Sequence, residues 1–357
     1  MPAYAVTTAA QRYEVIVERG VLGRLAQSIP QKRGKIFVVC TEDVWALHGA
    51  VVEAALAGRN WQRITFAGGE TRKRMATVEE FAEQMMAGGG DRSSLVVAFG
   101  GGIVNDLGGF LAAVFMRGVP VLQVPTTLLA QVDAAVGGKT GANLVSGKNL
   151  VGAFHQPLAV LTDPGVLDSL PEREYRAGLF EVIKHGIIHC EPLFRLMQNE
   201  RDRVLAREPG AVDAMVAESV RIKCEVVSAD EREGGLRRIL NFGHTVGHAF
   251  EAETQYARFL HGEAVGLGMI AALHLSRLTG RISEALCGEM EQVVRSYGPF
   301  PSLEGIQAEH LMARLVKDKK TIQGSVHFVL ATGIGSTDVV SGIDESVVRQ
   351  AVDASLR

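Results

Sequence analysis

Three histidines close together give this chain its most pointed chemical signal. In the run from Arg237 to Glu251, RRILNFGHTVGHAFE, His244 and His248 stand four residues apart, which places both imidazoles on one face of a helix. His261 follows in LHGEAV, from Leu260 to Val265, and opens the next helical stretch. The remaining histidines beyond residue 150 (His155, His185, His189, His274, His310 and His327) are widely spread, so the density is local. An isolated HxxxH pair is better explained by buried rings bonded to backbone carbonyls, but three imidazoles in this setting suit a divalent metal.

A second group of residues suits phosphates. The apolar run SLVVAF, ending at Phe99, leads into GGGIVNDLGG from Gly100 to Gly109. Gly100, Gly101 and Gly102 carry no side chain, so main-chain N–H groups and a helix N-terminus can approach a pyrophosphate, although the spacing is not GxGxxG. GGETRK, Gly68 to Lys73, follows the strand RITF with a carboxylate and an ammonium. PTTLL follows another strand with the hydroxyls of Thr126 and Thr127. Three strand ends bearing polar groups indicate a nucleotide crevice.

The stretch from Gln131 to Leu150, QVDAAVGGKTGANLVSGKNL, adds Lys139, Lys148, Asn143 and Asn149, with Asp133 its one acidic residue. Two ammonium groups and two amides are what a phosphorylated small molecule needs. The glycines predict a weakly helical setting, and the apolar flanks AAV and NLV predict burial. GGKTG superficially resembles a P-loop, but GxxxxGK[ST] requires glycine where Asp133 stands, which excludes that kind of ATPase.

The elements that must position these groups differ between the halves. Short apolar, β-branched runs (YEVIV from Tyr13, KIFVVCT from Lys35, SLVVAF from Ser94, VPVLQV from Val119 and AVLT from Ala159) alternate with amphipathic stretches. That pattern predicts a parallel sheet covered on both faces. From Glu172 onward, helical spacing dominates near 172–189, 211–230, 240–253, 262–280 and 283–297, with Gly280 and Gly298 as stops. The expected exception is a hairpin from Lys319 to Leu330 around Gln323-Gly324. The reading is an α/β N-terminal domain, residues 1–170, and a mainly α-helical C-terminal domain, residues 171–357, divided within TDPGVLDSLP.

Composition excludes other classes. With 37 basic and 40 acidic side chains in 357 residues, no overall field recruits nucleic acid or an anionic membrane surface. No apolar run reaches the length of a membrane span, and the first residues lack a basic segment followed by an apolar one, so a cytoplasmic protein is expected. Cys40, Cys190, Cys224 and Cys287 are scattered without a CxxC pair, and disulfides are not expected.

The motifs, taken in order, resemble the 3-dehydroquinate synthase family over nearly the whole chain. They are G-E-x-x-K, GGG-x-x-x-D-L-x-G-F, M-R-G, PTTLLAQVD, GGKTG-x-N, GKN-L-x-G-x-F, E-x-x-K-x-G, R-x-x-LNFGHT-x-GHA-x-E, HGEAV and DKK. The resemblance implies a Rossmann-like N-terminal domain that binds NAD, a helical C-terminal domain that holds zinc or cobalt, and a homodimer. It implies Glu181, His244 and His261 as metal ligands, a set that leaves positions open for substrate oxygens. His248 becomes a proton-transfer residue, and Glu233, Lys184, Lys223, Arg237 and Asn241 line the substrate pocket, with Arg237 suited to a carboxylate.

For the phosphate the resemblance implies Lys139, Asn149, Lys319 or Lys320, and Arg117, the last reaching across the dimer interface; Asp133 belongs to the same motif run. For NAD it implies Glu70, Lys73, Gly101, Gly102, Asp106, Thr126, Thr127 and Ser169, with Lys139 and Lys148 at the junction of cofactor and substrate. The chain departs from the usual pattern at Asn105, Ala134, Ala135 and Ser169, and Glu42 stands where the adenosine ribose is held. The implied reaction converts 3-deoxy-D-arabino-heptulosonate 7-phosphate to 3-dehydroquinate and phosphate by transient oxidation at C5, β-elimination, re-reduction and aldol closure. The rival readings are another sugar phosphate cyclase, a metal-dependent polyol dehydrogenase that releases NADH, and a nucleotide-binding protein without chemistry.

Overall fold

The computed structural model describes residues 2–9, 11–321 and 326–357, with the backbone alone over 316–321. The chain forms two compact units, Met1–Pro171 with Lys223–Glu231, and Glu172–Ile222 with Arg232–Arg357.

In the first unit the strands are β1 (Ala3–Thr7), β2 (Arg12–Val17), β3 (Ile36–Thr41), β4 (Trp61–Phe66), β5 (Leu95–Gly100), β6 (Val121–Pro125), β7 (Lys139–Leu144), β8 (Gly147–Phe154) and β9 (Ala159–Thr162). The helices are α1 (Glu42–Ala55), α2 (Met75–Ala87) and α3 (Gly102–Val114). Seven strands form one sheet in the order β1-β2-β9-β6-β5-β3-β4, parallel except for the β1–β2 pair. Alternate residues of β3 feed separate cores. Phe37 and Val39 pack with Val96, Phe81 and Leu107, while Ile36, Val38 and Cys40 pack with Val97, Val52 and Leu122. A strand buried on both faces needs this continuous apolar sequence. After β4 the chain crosses back past β3 to β5, so the order reverses between β3 and β5. Ligands of open α/β sheets bind outside the strand C-termini at such a point.

Residues 139–154 correct one expectation. They form an antiparallel β7–β8 hairpin, entered from a π-helical turn, Ala130–Ala134, and not a weakly helical segment. Ala135 and Val136 are buried as the AAV flank predicts, but Leu144 is 40% and Val145 94% exposed at the hairpin tip. A two-stranded ribbon has no second layer over its tip, so apolar residues there stay uncovered.

The second unit is helical: α4 (Glu172–His189), α5 (Glu191–Asn199), α6 (Arg201–Leu205), α7 (Pro209–Ala229, whose end from Lys223 belongs to the first unit), α8 (His244–Glu253), α9 (His261–Leu278), α10 (Glu284–Ser296), α11 (Ala308–Thr321) and α12 (Glu345–Ser355). Strands β10 (His327–Gly333) and β11 (Ser336–Ser341) pair as a hairpin. The hairpin therefore lies further along than Lys319–Leu330 predicts. Lys319 to Thr321 end α11, and Gln323-Gly324 lies outside the described residues. Gly280 closes α9 with a left-handed φ of 74°. No helix among the described residues is long and apolar enough to cross a membrane.

Candidate active site

The helical unit brings Glu181, His244 and His261 to one point. Glu181 lies mid-way along α4, His244 is the first residue of α8 and His261 the first of α9. Glycines make that meeting possible. Gly243 takes a left-handed φ of 80° immediately before α8. A Cβ on Gly262 would lie 1.8 Å from the Ala177 carbonyl oxygen of α4, and one on Gly268 would lie 1.9 Å from the Gly243 carbonyl oxygen. Side chains at either position would push α9 off its neighbours and move His261 away from Glu181.

The Nε2 atoms of His244 and His261 each stand 3.8 Å from Glu181 Oε1. Donors that far apart can both reach one ion about 2.0–2.1 Å away. The opposite nitrogen of each ring already has an acceptor. His244 Nδ1 donates to the Phe242 carbonyl at 3.2 Å, and His261 Nδ1 faces Glu251 Oε2 at 3.3 Å. A proton held at Nδ1 leaves the Nε2 lone pair for a metal, which is how histidine ligands are commonly oriented. Glu181 is fully buried, with buried Lys184 one turn on as its ion-pair partner. Neither of its oxygens accepts an aligned hydrogen bond among the described residues. A buried carboxylate with one ammonium beside it and no hydrogen bond can take a further cation.

His248 is exposed, its ring 5.5 Å from that of His244 and 6.0 Å from that of His261. It stands beside the donor triad. Asn241 donates to Glu233 Oε1 at 2.6 Å, and Arg237 is buried in the same turn of chain. Glu251, 2% exposed, is the site residue that the spacing of histidines does not single out. Its signal in the sequence is its place as the last residue of the GHA-x-E motif, three residues after His248.

In the first unit Gly100 ends β5 in register with Pro125 of β6, which sets Gly101, Gly102, Thr126 and Thr127 together. Gly101 precedes α3, and a Cβ there would meet the Thr127 methyl at 3.0 Å. Thr126 is 5% exposed and its hydroxyl has no hydrogen-bond partner among the described residues. Both features mark a cradle shaped for a ligand's polar atoms. Glu42 opens α1 at the end of β3, the strand beside β5. Ser169 Oγ accepts or donates at 2.9 Å to His48 Nε2.

Lys73 ties the phosphate-type residues together. Its buried ammonium donates at 2.5 Å to both Asp106 Oδ2 and Asn149 Oδ1. Asn149, with a left-handed φ of 54°, also receives its shape from Asn143 Oδ1, which accepts the Asn149 N–H at 2.8 Å. Asn143 Nδ2 donates to Glu70 Oε1 at 2.7 Å, and Lys148 Nζ lies 3.9 Å from the same oxygen. Burial raises the Asp106 carboxyl above its ordinary pKa, while Lys73 opposes that rise. Asp133 pairs with Lys223 at 2.5 Å. Lys139 begins β7 and is exposed.

Arg117 is not brought to these groups. It follows α3 at the end remote from Gly100–Gly102, is exposed, and holds a left-handed φ of 66°. The side chains of Lys319 and Lys320 lie outside the described residues.

The fold, a doubly covered parallel sheet in one unit and helices in the other, is that of solved sugar phosphate cyclases. The 2-epi-5-epi-valiolone synthase of Streptomyces hygroscopicus subsp. jinggangensis 5008, solved with NAD+ and Zn2+ bound, matches with a TM-score of 0.89 at 30% identity over 98% of each chain. A 2-deoxy-scyllo-inosose synthase complexed with carbaglucose-6-phosphate, NAD+ and Co2+ shares the fold, with a TM-score of 0.88 at 23% identity over 98% of this chain and 99% of that one.

Sequence relatives narrow the class. Residues 63–177 match the 3-dehydroquinate synthase N-terminal family model and residues 178–321 the C-terminal one. A 3-dehydroquinate synthase of Solibacter usitatus (strain Ellin6076) is 62% identical over 356 residues, covering 100% of both chains. The chain belongs to the 3-dehydroquinate synthase family.

Proposed function

We propose that the chain is a carbon–oxygen lyase that converts 3-deoxy-D-arabino-heptulosonate 7-phosphate to 3-dehydroquinate and phosphate, a step of the shikimate route to aromatic amino acids. The observation that carries the reading is the Glu181, His244 and His261 triad with both Nδ1 atoms already satisfied. One buried carboxylate and two preset imidazoles fit a catalytic divalent metal, zinc or cobalt, with positions left for substrate oxygens. The Gly101–Gly102 turn and the buried Thr126 hydroxyl fit the pyrophosphate of NAD, which Glu42, Glu70, Lys73, Asp106, Thr127 and Ser169 would help to hold. When bound, NAD takes up and returns one hydride and the metal polarises the neighbouring substrate hydroxyls.

The chain's own residues do the rest. Buried Arg237 is matched to the substrate carboxylate, with Asn241 and Lys184 on its hydroxyls. His248 and Glu233 move protons during oxidation at C5 and ring opening. Once C5 is a ketone, the C6 hydrogen is acidic and phosphate leaves by β-elimination. Lys139, Lys148, Asn149, Lys319 or Lys320 hold that phosphate, and Asp133 fixes Lys223. Arg117 stands apart from the phosphate residues of its own chain, which supports a homodimer in which it serves the partner's site. The cell compartment proposed is the cytoplasm.

The rival reading is a cyclase acting on a substrate without a carboxylate, for which the bidentate chemistry of Arg237 would have no use. Turnover of the heptulosonate phosphate beside a carboxylate-free sugar phosphate separates the two, and only the former should react. In E181A or H261A the protein should fold and bind NAD while turnover is lost; full activity in either would refute the metal assignment.

A further inference from the structure

A second cluster of metal-type donors lies in the helical unit, well away from the first. His274 projects from α9, thirteen residues after His261, which is about 20 Å along a helix. Cys287 and Glu291 stand four residues apart on α10 and so share one face of it. Single ligand atoms from the three residues all lie within 4.8 Å of one another. Zinc bonds of about 2.0–2.3 Å place the donors of one ion roughly 3–4 Å apart, so a small side-chain adjustment brings these three to ligand distance of one ion.

His274 Nε2 is 2.9 Å from Glu291 Oε2, while Arg295 binds the other carboxylate oxygen, Oε1, at 2.7 Å. Arg295 therefore orients the carboxylate and leaves Oε2 to the cluster. His274 Nδ1 is buried and has no hydrogen-bond partner among the described residues. Cys287 is 2% exposed, whereas the Glu291 side chain is 19% exposed and reaches a surface groove lined by Gly288, Gln292 and Arg295. The groove is open to solvent, so an ion can enter beside Glu291.

We propose that His274, Cys287 and Glu291 form a second divalent-metal site of the zinc class, clamping α9 to α10. Sulfur, nitrogen and oxygen donors together favour zinc or cobalt over magnesium and calcium, which prefer oxygen alone. The proposal stands independently of the reaction assigned to the first site. Because Glu181, His244 and His261 offer only oxygen and nitrogen, a thiolate bond reports the second site alone.

The test is a titration of the chelator-treated full-length chain with Co2+, read by thiolate-to-cobalt charge-transfer absorption and by metal stoichiometry. Two equivalents should bind, with a charge-transfer band that Zn2+ displaces. In C287S the band should vanish, and in H274Q the second affinity should fall by about tenfold or more, while turnover at the first site is unchanged in both. One equivalent without a thiolate band, or a band that persists in C287S, would overturn the proposal.

Discussion

At the scale of single residues, the donor triad depends on what holds its rings. The Glu251 carboxylate, buried and 3.3 Å from His261 Nδ1, keeps the lone pair of the opposite nitrogen turned toward Glu181. E251Q should therefore weaken zinc binding by about 10–100-fold, measured by chelator competition, with the fold unchanged. Unaltered affinity would mean that His261 is oriented by packing alone. Glu181, His244 and His261 were legible in the sequence because their motifs carry them. Glu251 stands in the GHA-x-E motif, but its role beside His261 was not legible, since a glutamate on a helix announces its partner only when α8 and α9 are docked. The same holds for the bonds of Lys73 to Asp106 and Asn149, which span 33 and 76 residues of chain, although Lys73 itself stands in the G-E-x-x-K motif.

At the scale of elements, close helix approach is what assembles the site. G262A places a methyl against the Ala177 backbone and should destabilise the protein by more than about 2 kcal/mol. Denaturant melts read that loss, and metal affinity should fall with it; a fully stable, metal-competent G262A would show that α4 and α9 can separate harmlessly. Periodicity made α4, α9 and α10 readable to within two residues, and continuous apolar runs did the same for the parallel strands. The β7–β8 hairpin was hidden because its sequence is glycine-rich and lacks alternation, and its pairing depends on tertiary position rather than on local preference. The β10–β11 hairpin was expected too early, since Gln323-Gly324 is a strong local turn signal while the observed ribbon turns at Gly335, with a φ of 83°.

At the scale of the whole molecule, stability should fall on mild acidification. Burial holds His48 on α1 below its ordinary pKa of 6.5, with Asp163 partly opposing. The unfolded chain then takes up this proton first as pH drops below 6.5, so the folded state loses stability from there down to the lowered value. H48Q should flatten that part of the curve between pH 7 and 5 in denaturant titrations, and an identical slope would assign the loss to other groups. The central claim concerns chemistry in which a cofactor is used and regenerated. Its most direct test is phosphate release from 3-deoxy-D-arabino-heptulosonate 7-phosphate with catalytic NAD+ and zinc, while absorbance is watched for NADH. The account predicts phosphate without NADH build-up, abolished by chelator. No phosphate, with NADH accumulating from simple polyols, would contradict it and make the protein a dehydrogenase.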